Sequence, residues 1–86
     1  MPKEMVLMLK VARLNEFEIG EKGKVIKVNG KGEINRRIRD MGIVPGALIE
    51  VETKATLGDP IEIKVKGYHL TLRSSEAAGI DIEKTE

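Results

Sequence analysis

The sequence predicts a mainly β protein, a small antiparallel barrel with one short α-helix. Apolar and polar residues alternate closely in several short segments, glycines separate those segments, and only one stretch shows a helical period. The segments do not follow the βαβ rhythm of a parallel sheet. An open antiparallel sheet would leave bare edges, so a closed or nearly closed barrel is favoured.

Length and composition indicate one small domain with a single core. The chain has 86 residues, of which 41% are hydrophobic, and it contains no cysteine. Disulfides, thiolate zinc sites and cysteine nucleophiles are therefore excluded. The formal net charge of +1 creates no strong field toward nucleic acid or an anionic membrane. The apolar run Met5 to Leu9 is too short to span a bilayer, so we expect a soluble, cytoplasmic protein.

The segment Met1 to Arg13 is predicted to be an N-terminal extension that contains an extra strand. Leu7, Leu9 and Val11 alternate there with Met8, Lys10 and Ala12. Such a strand could cover a barrel edge or pair with another subunit. The barrel domain is expected to occupy residues 14–83, and residues 84–86 are expected to fray.

One helix is predicted from about Glu33 to Met41, after a short strand at Lys24 to Val28. Ile34, Ile38 and Met41 share one helical face. Gly42 fits the left-handed position that ends a helix, and Pro45 prevents a restart.

The strands after the helix are predicted from alternation. The residues assigned to the core side are Ile49, Val51, Ile61, Ile63, Val65, Tyr68, Leu70 and Leu72. Lys66-Gly67 fits a two-residue hairpin turn with positive φ. A further helical turn is predicted near Ser75 to Ala78, capped by Ser74 or Ser75, and a last short strand at Ile80 to Ile82.

No catalytic constellation is visible in the sequence. Glu50, Glu52 and Glu62 are predicted on wet strand faces, where Lys54, Lys64 and Lys66 could neutralise them. Gly30-x-Gly32 matches neither a dinucleotide fingerprint nor a nucleotide loop, because the required third glycine and the Gly-Lys-Ser/Thr are missing. We therefore predict that the protein is not an enzyme.

His69 is the one histidine, and alternation places it on the solvent face. Metal ligation would need converging partners, with Glu62 across the hairpin as the candidate for a weak nitrogen and oxygen site. The simpler interpretation is a surface histidine. We assign no catalytic residue and no metal ligand from the sequence.

Arg36, Arg37 and Arg39 form the densest basic cluster of the chain. Arg36 and Arg39 share the exposed helix face, whereas Arg37 borders the apolar stripe. The cluster could anchor a carboxylate or phosphate on a partner. Alternatively, it could form intrachain salt bridges with Asp40 or with Glu33 and Glu50.

The segment Leu57-Gly58-Asp59-Pro60 is predicted to be a loop. Gly58 and Pro60 set its backbone, and Asp59 is suited to bonding nearby amides. Structure alone is sufficient to explain this composition.

Taken together, these motifs resemble the FeoA domain family over most of the chain, from about Leu14 to Ile82. The residues that carry the resemblance are Gly20-x-x-Gly23-x-Val25, Arg36-Arg37-Ile38-x-x-Met41-Gly42-Ile43-x-Pro45-Gly46, Leu57-Gly58-Asp59-Pro60-Ile61-x-Ile63-x-Val65-x-Gly67-Tyr68-x-Leu70-x-Leu72-Arg73, Glu76-Ala77 and Ile80. Each motif is weak alone, but their combination is specific.

The resemblance implies an SH3-like β-barrel that assists a FeoB-type membrane permease with a GTP-binding domain in Fe²⁺ uptake. A similar domain closes the C-terminus of iron-dependent repressors, but we expect the stand-alone accessory protein because no DNA-binding domain is present. The implied role is binding and regulation at the inner face of the membrane, without a cofactor. Weak Fe²⁺ binding and homo-oligomerisation are left open.

Our leading hypothesis places the permease-binding surface on the helix and the neighbouring loop, because loops on a rigid barrel usually carry recognition. Its residues are Arg36, Arg37, Arg39, Leu57, Gly58 and Asp59. The alternative is a small nucleic-acid-binding barrel, with a basic face of Lys24, Lys27, Lys31, Arg36 and Arg39. We do not expect nucleic acid to be the partner.

Overall fold

One antiparallel sheet dominates the computed structural model, which describes residues 11–30 and 32–85. Its strands are Val11–Arg13 (β1), Lys22–Val28 (β2), Leu48–Lys54 (β3), Ile61–Val65 (β4), Tyr68–Leu72 (β5) and Ile80–Thr85 (β6). The helices are Gly32–Asp40 (α1) and Ser74–Ala77 (α2), and 3₁₀ turns occur at Leu14–Glu16 and Thr56–Gly58. The strand order is β1-β6-β2-β3-β4-β5. The predicted fold class, mainly β with one helix of consequence, is confirmed.

Alternating side chains on the strands build the core, as the sequence predicted. The fully buried set includes Leu14, Phe17, Val25, Ile38, Ile43, Ile49, Val51, Ile61, Ile63, Val65, Leu72, Ile80 and Ile82. Branched aliphatic residues dominate this interior, and Phe17 is its one aromatic residue among the described positions. Burial of this apolar surface is the main stabilising contribution to the sheet.

Helix α1 covers the sheet through its C-terminal half. Ile38 is buried and Met41 packs at the edge of the core, but Ile34 is 60% exposed. The prediction that Ile34 lies on the buried face is therefore wrong, because Ile38 is the residue through which α1 enters the core. Gly42 ends the helix with φ of 93°, as predicted.

The hairpin between β4 and β5 has the predicted turn. Lys66 and Gly67 have φ of 50° and 83°, which suits a two-residue connection between twisted strands. Tyr68, however, is 72% exposed although alternation assigned it to the core. It begins β5, which is the last strand of the sheet order, and it pairs with Val65 directly beside the hairpin turn.

The chain ends differ from expectation where the structure describes them. Val11–Arg13 pairs with β6, whereas the rest of the predicted N-terminal strand, Met5 to Lys10, lies outside the described residues. Lys84 and Thr85 continue β6 and pair with β2 instead of fraying, because Gly23 and Lys22 offer them a strand to pair with. Within the described residues, no helix is long and apolar enough to cross a membrane.

Candidate functional site

The exposed face of α1 carries a basic groove. Arg36 and Arg39 line it together with Gly32, Asn35, Asp40 and Val44, and the groove encloses about 490 Å³. Within residues 11–30 and 32–85, neither of the two guanidinium groups forms an ion pair. Both side chains are exposed and can therefore meet an acidic partner.

Arg37 has a structural contact. Its Nη2 lies 3.3 Å from Oε2 of Glu76 on α2, and the Glu76 side chain is only 9% exposed. The intrachain partners named from the sequence, Glu33, Asp40 and Glu50, form no ion pair with the arginines in the described part of the chain. Arg37 does form an intrachain salt bridge, as one of the two interpretations of the cluster expected. Its partner Glu76, however, is almost forty residues away in the sequence, so the local sequence pattern could not identify it.

The loop before β4 presents an exposed leucine. Leu57 is 99% exposed and has φ of 70°, a left-handed conformation that is unfavourable for a leucine. Gly58 follows with φ of 79°, and its amide donates to the Ala55 carbonyl at 2.7 Å. The loop therefore holds an apolar side chain in water at a conformational cost.

Asp59 connects this loop to α2. Its Oδ1 accepts a hydrogen bond from the Ser74 amide at 2.9 Å, while Glu76 Oε1 accepts one from the Arg73 amide, also at 2.9 Å. These bonds satisfy amides at the start of the helix. The predicted capping by Ser74 or Ser75 is wrong, because Arg73 occupies the N-cap position and the acceptors come from Asp59 and Glu76.

Helix α2 therefore lies between the two parts of the predicted partner surface. Arg37 reaches it from α1, and Asp59 reaches it from the loop. Of the residues predicted to bind a partner, these two hold the fold together, whereas Arg36, Arg39 and Leu57 project into solvent. We call Arg36, Arg39 and Leu57 the docking set.

A second group of polar side chains meets on the outer face of β3, β4 and β5. Glu52, Glu62 and His69 each place one potential ligand atom within 4.8 Å of the others. His69 Nδ1 lies 2.5 Å from Glu52 Oε1. The sequence had suggested Glu62 as a neighbour of His69 but did not single out Glu52.

A β-bulge explains why the sequence did not predict that Glu52 lies beside His69. The β3–β4 register shifts between Val51, which pairs with Ile63, and Thr53, which pairs with Glu62. Glu52 is thus the extra residue of the bulge. Lys54, expected on the wet face, instead donates through Nζ to the Asn15 and Phe17 carbonyls at 3.1 and 2.9 Å. Alternation alone cannot locate a bulge.

A small, mainly β protein of the SH3-like kind, with one helix of consequence, is the class of protein that the fold defines. The FeoA domain profile matches residues 12–84, and the chain belongs to this family. The resemblance found in the sequence is confirmed.

Individual relatives support the assignment of the chain to the FeoA domain family. The chain is 37% identical over 71 residues to the Fe(2+) transport protein A/Fe(2+) transporter FeoB fusion protein of Porphyromonas gingivalis; the match covers 83% of this chain and 8% of that protein. It is 47% identical to an FeoA-like protein from Clostridium acetobutylicum, with a TM-score of 0.82 and 90% of each chain covered.

A crystal structure of Stenotrophomonas maltophilia FeoA in complex with zinc, described as an SH3 domain protein, is also similar. The identity is 27%, the TM-score 0.73, and the match covers 81% of this chain and 87% of that one. The predicted SH3-like architecture is thereby confirmed.

Proposed function

We propose that this protein is a non-enzymatic accessory module for ferrous-iron uptake that acts in the cytoplasm by binding a FeoB-type membrane permease. The observation that carries the proposal is the relative in which a matching domain and the Fe(2+) transporter FeoB are one polypeptide. Fusion keeps two partners at a high effective concentration, which is useful only if they work together. A separate domain achieves the same association through a binding surface.

The docking set supplies a surface of suitable chemistry. Arginine is enriched at protein interfaces because its planar guanidinium binds carboxylates through paired hydrogen bonds. Leu57 adds an apolar side chain that contributes nothing to the core, being 99% exposed. An acidic patch with a shallow apolar depression on the cytoplasmic part of the permease would complement this surface.

The residues available for chemistry support a binding role. The chain has one histidine and no cysteine. Within the described residues, Glu52 and Glu62 are the carboxylates that lie close to that histidine, and Glu52 forms an ion pair with it. We therefore propose that the module docks at the inner face of the membrane and regulates its partner without making or breaking bonds.

Binding to the FeoB-type permease encoded in the same genome tests the proposal. The wild-type chain should be retained by permease in detergent and by its isolated GTP-binding domain. Reversing both charges, Arg36→Glu with Arg39→Glu, should weaken binding by about tenfold or more, because attraction becomes repulsion. Leu57→Ser should weaken it as well.

The matched control reverses the charges of two lysines outside the docking set. Lys22→Glu with Lys24→Glu changes the net charge equally on exposed positions of β2 and should leave binding within about twofold. Arg37 and Asp59 are not suitable probes, since both hold α2. Failure of the wild-type chain to bind any part of the permease would refute the proposed function. RNA binding that falls steeply with salt would favour the nucleic-acid alternative instead.

A further inference from the structure

We infer that Glu52, Glu62 and His69 form a binding site for one divalent transition-metal ion on the outer face of the sheet. The three residues come from three neighbouring strands, β3, β4 and β5. Their ligand atoms all lie within 4.8 Å of one another. This site goes beyond the proposed permease binding and uses none of the docking set.

The backbone brings these side chains together through the bulge in β3. In the hairpin register Glu62 pairs with Thr71 and His69 pairs with Lys64, so Glu62 and His69 are diagonal neighbours on one face. Glu52 is the unpaired bulge residue opposite this diagonal. Bulges commonly re-aim a side chain at a functional site, and here the bulge supplies the third ligand.

A buried, unsatisfied carboxylate oxygen is a second observation in favour of a bound cation. Glu52 Oε1 is shielded from solvent, yet it accepts no hydrogen bond of standard geometry from the described residues. His69 Nδ1 is nevertheless 2.5 Å away. A cation that replaced this contact would be shared by Glu52 Oε1, His69 Nδ1 and Glu62, and it would give the shielded oxygen a well-oriented partner.

The donor set selects the class of ion. Two carboxylates and one neutral imidazole place two negative charges around a divalent cation. Mixed nitrogen and oxygen ligands suit borderline ions such as Fe²⁺, Co²⁺ and Zn²⁺ better than Mg²⁺ or Ca²⁺, which take oxygen ligands. Three protein ligands leave positions for water, because His69 and its surroundings are open to solvent.

The observed spacing fits an ion after a small adjustment. Metal–ligand bonds of about 2.0 to 2.2 Å place two ligands at most about 4.4 Å apart. In tetrahedral geometry such ligand atoms lie about 3.3 to 3.6 Å apart, so Glu52 Oε1 and His69 Nδ1 must separate by about 1 Å from their present 2.5 Å, while all three ligand atoms already lie within 4.8 Å of one another. The side chains of Glu52 and His69 are 26% and 59% exposed, so rotation about their own bonds can provide this separation.

Lys64 is a positively charged neighbour of the site and would repel a bound cation. It pairs with His69 on one side and with Glu50 on the other, but within the described residues it forms no ion pair with the three ligands. Its charge should lower cation affinity without preventing binding. Removing that charge should therefore strengthen binding, an effect opposite in sign to loss of a ligand.

Titration of the full, tag-free chain tests the site. Co²⁺ binding followed by visible absorption and Zn²⁺ binding followed by calorimetry should each saturate at one ion per chain. Co²⁺ should bind more tightly than Mn²⁺, in the usual order of divalent ions. In NMR spectra of the wild-type chain, trace Mn²⁺ should broaden first the signals around Glu52, Glu62 and His69.

Single variants identify the ligands. Glu52→Gln, Glu62→Gln and His69→Gln should each weaken Co²⁺ binding by about tenfold or more. Glu50→Gln, a matched loss of charge on the same strand, should change it by less than about threefold. Lys64→Gln should tighten binding by about two- to fivefold, because one repulsive charge near a divalent ion is removed.

The wild-type measurements alone can overturn the inference, even if a variant does not fold. Absence of saturable Co²⁺ binding, or Mn²⁺ broadening centred on another part of the chain, would refute it. A His69→Gln variant that binds Co²⁺ as tightly as wild type would refute it equally. None of these results bears on permease capture, so the two proposals can fail independently.

Discussion

Arg37 on α1 and Glu76 on α2 form an ion pair that ties the two helices together, with 3.3 Å between Nη2 and Oε2. The pair is asymmetric, because the Arg37 side chain is 63% exposed while that of Glu76 is 9% exposed. Glu76 also accepts the Arg73 amide through its other oxygen. One nearly buried carboxylate therefore caps α2 and fixes its position against α1.

Substitutions of Glu76 should separate these two roles. Glu76→Gln can still accept the Arg73 amide but loses the charge, and it should cost about 1 kcal/mol of unfolding free energy. Glu76→Ala loses both contacts and should cost about 2 kcal/mol or more. Urea denaturation followed by circular dichroism measures both values.

A double-mutant cycle with Arg37→Ala provides the control. The coupling between Arg37 and Glu76 should be about 0.5 to 1 kcal/mol, since one partner remains hydrated. Equal costs for Glu76→Gln and Glu76→Ala would show that the Arg73 amide bond contributes little.

A second prediction concerns Gly23, where β2 and β6 pack closely together. A Cβ atom at this position would lie 2.2 Å from Ile82 Cγ2 and 2.8 Å from the Glu83 carbonyl oxygen. Gly23→Ala should therefore destabilise the protein by about 2 to 3 kcal/mol through overpacking, although its backbone conformation is permitted for alanine. Thermal and urea denaturation measure the loss.

Gly20→Ala is the matched control, because it introduces backbone strain without a steric clash. Nothing lies within 4 Å of a Cβ there, but φ is +91°. This substitution should cost only about 1 kcal/mol, from backbone strain alone. If the Gly20 variant proved as unstable as the Gly23 variant, close strand contact would not be the reason for glycine at position 23.

Local pattern was sufficient to predict much of the fold. Ile61, Ile63 and Val65 alternate with charged residues and are fully buried, because a strand presents successive side chains to opposite faces. Gly42 and the Lys66-Gly67 turn were predictable because positive φ selects few residue types. These features depend on short-range geometry.

Features that depend on long-range packing could not be predicted in the same way. Ile34 and Tyr68 satisfy the helical and strand periods, yet the fold leaves their side chains 60% and 72% exposed. Glu76 and Asp59 meet their partners on distant segments. The bulge that brings Glu52 to His69 depends on how β3 pairs with β4, which no single strand sequence specifies.

The Glu21 carboxylate makes stability depend on pH. A hydrogen bond from the Glu18 amide, at 2.7 Å, is the main reason that its pKa is lowered from the ordinary 4.5. Lys84 lies 3.2 Å away and lowers the pKa further, while partial burial works in the opposite direction. The folded state thus binds the Glu21 proton less readily than the unfolded chain does.

The sign of the effect follows from this pKa difference. Glu21 contributes stability above its unfolded pKa near 4.5, and the contribution is lost as pH falls through the lower folded pKa. Glu21→Gln should be less stable than wild type at neutral pH, and the difference should vanish in acid.

Carbon NMR of the Glu21 carboxyl measures its pKa, and urea denaturation across pH measures how the stability depends on that pKa. Lys84→Met should raise the pKa only partly, since the Glu18 amide bond remains; a Glu21 pKa at or above 4.5 in the wild-type chain would contradict this account.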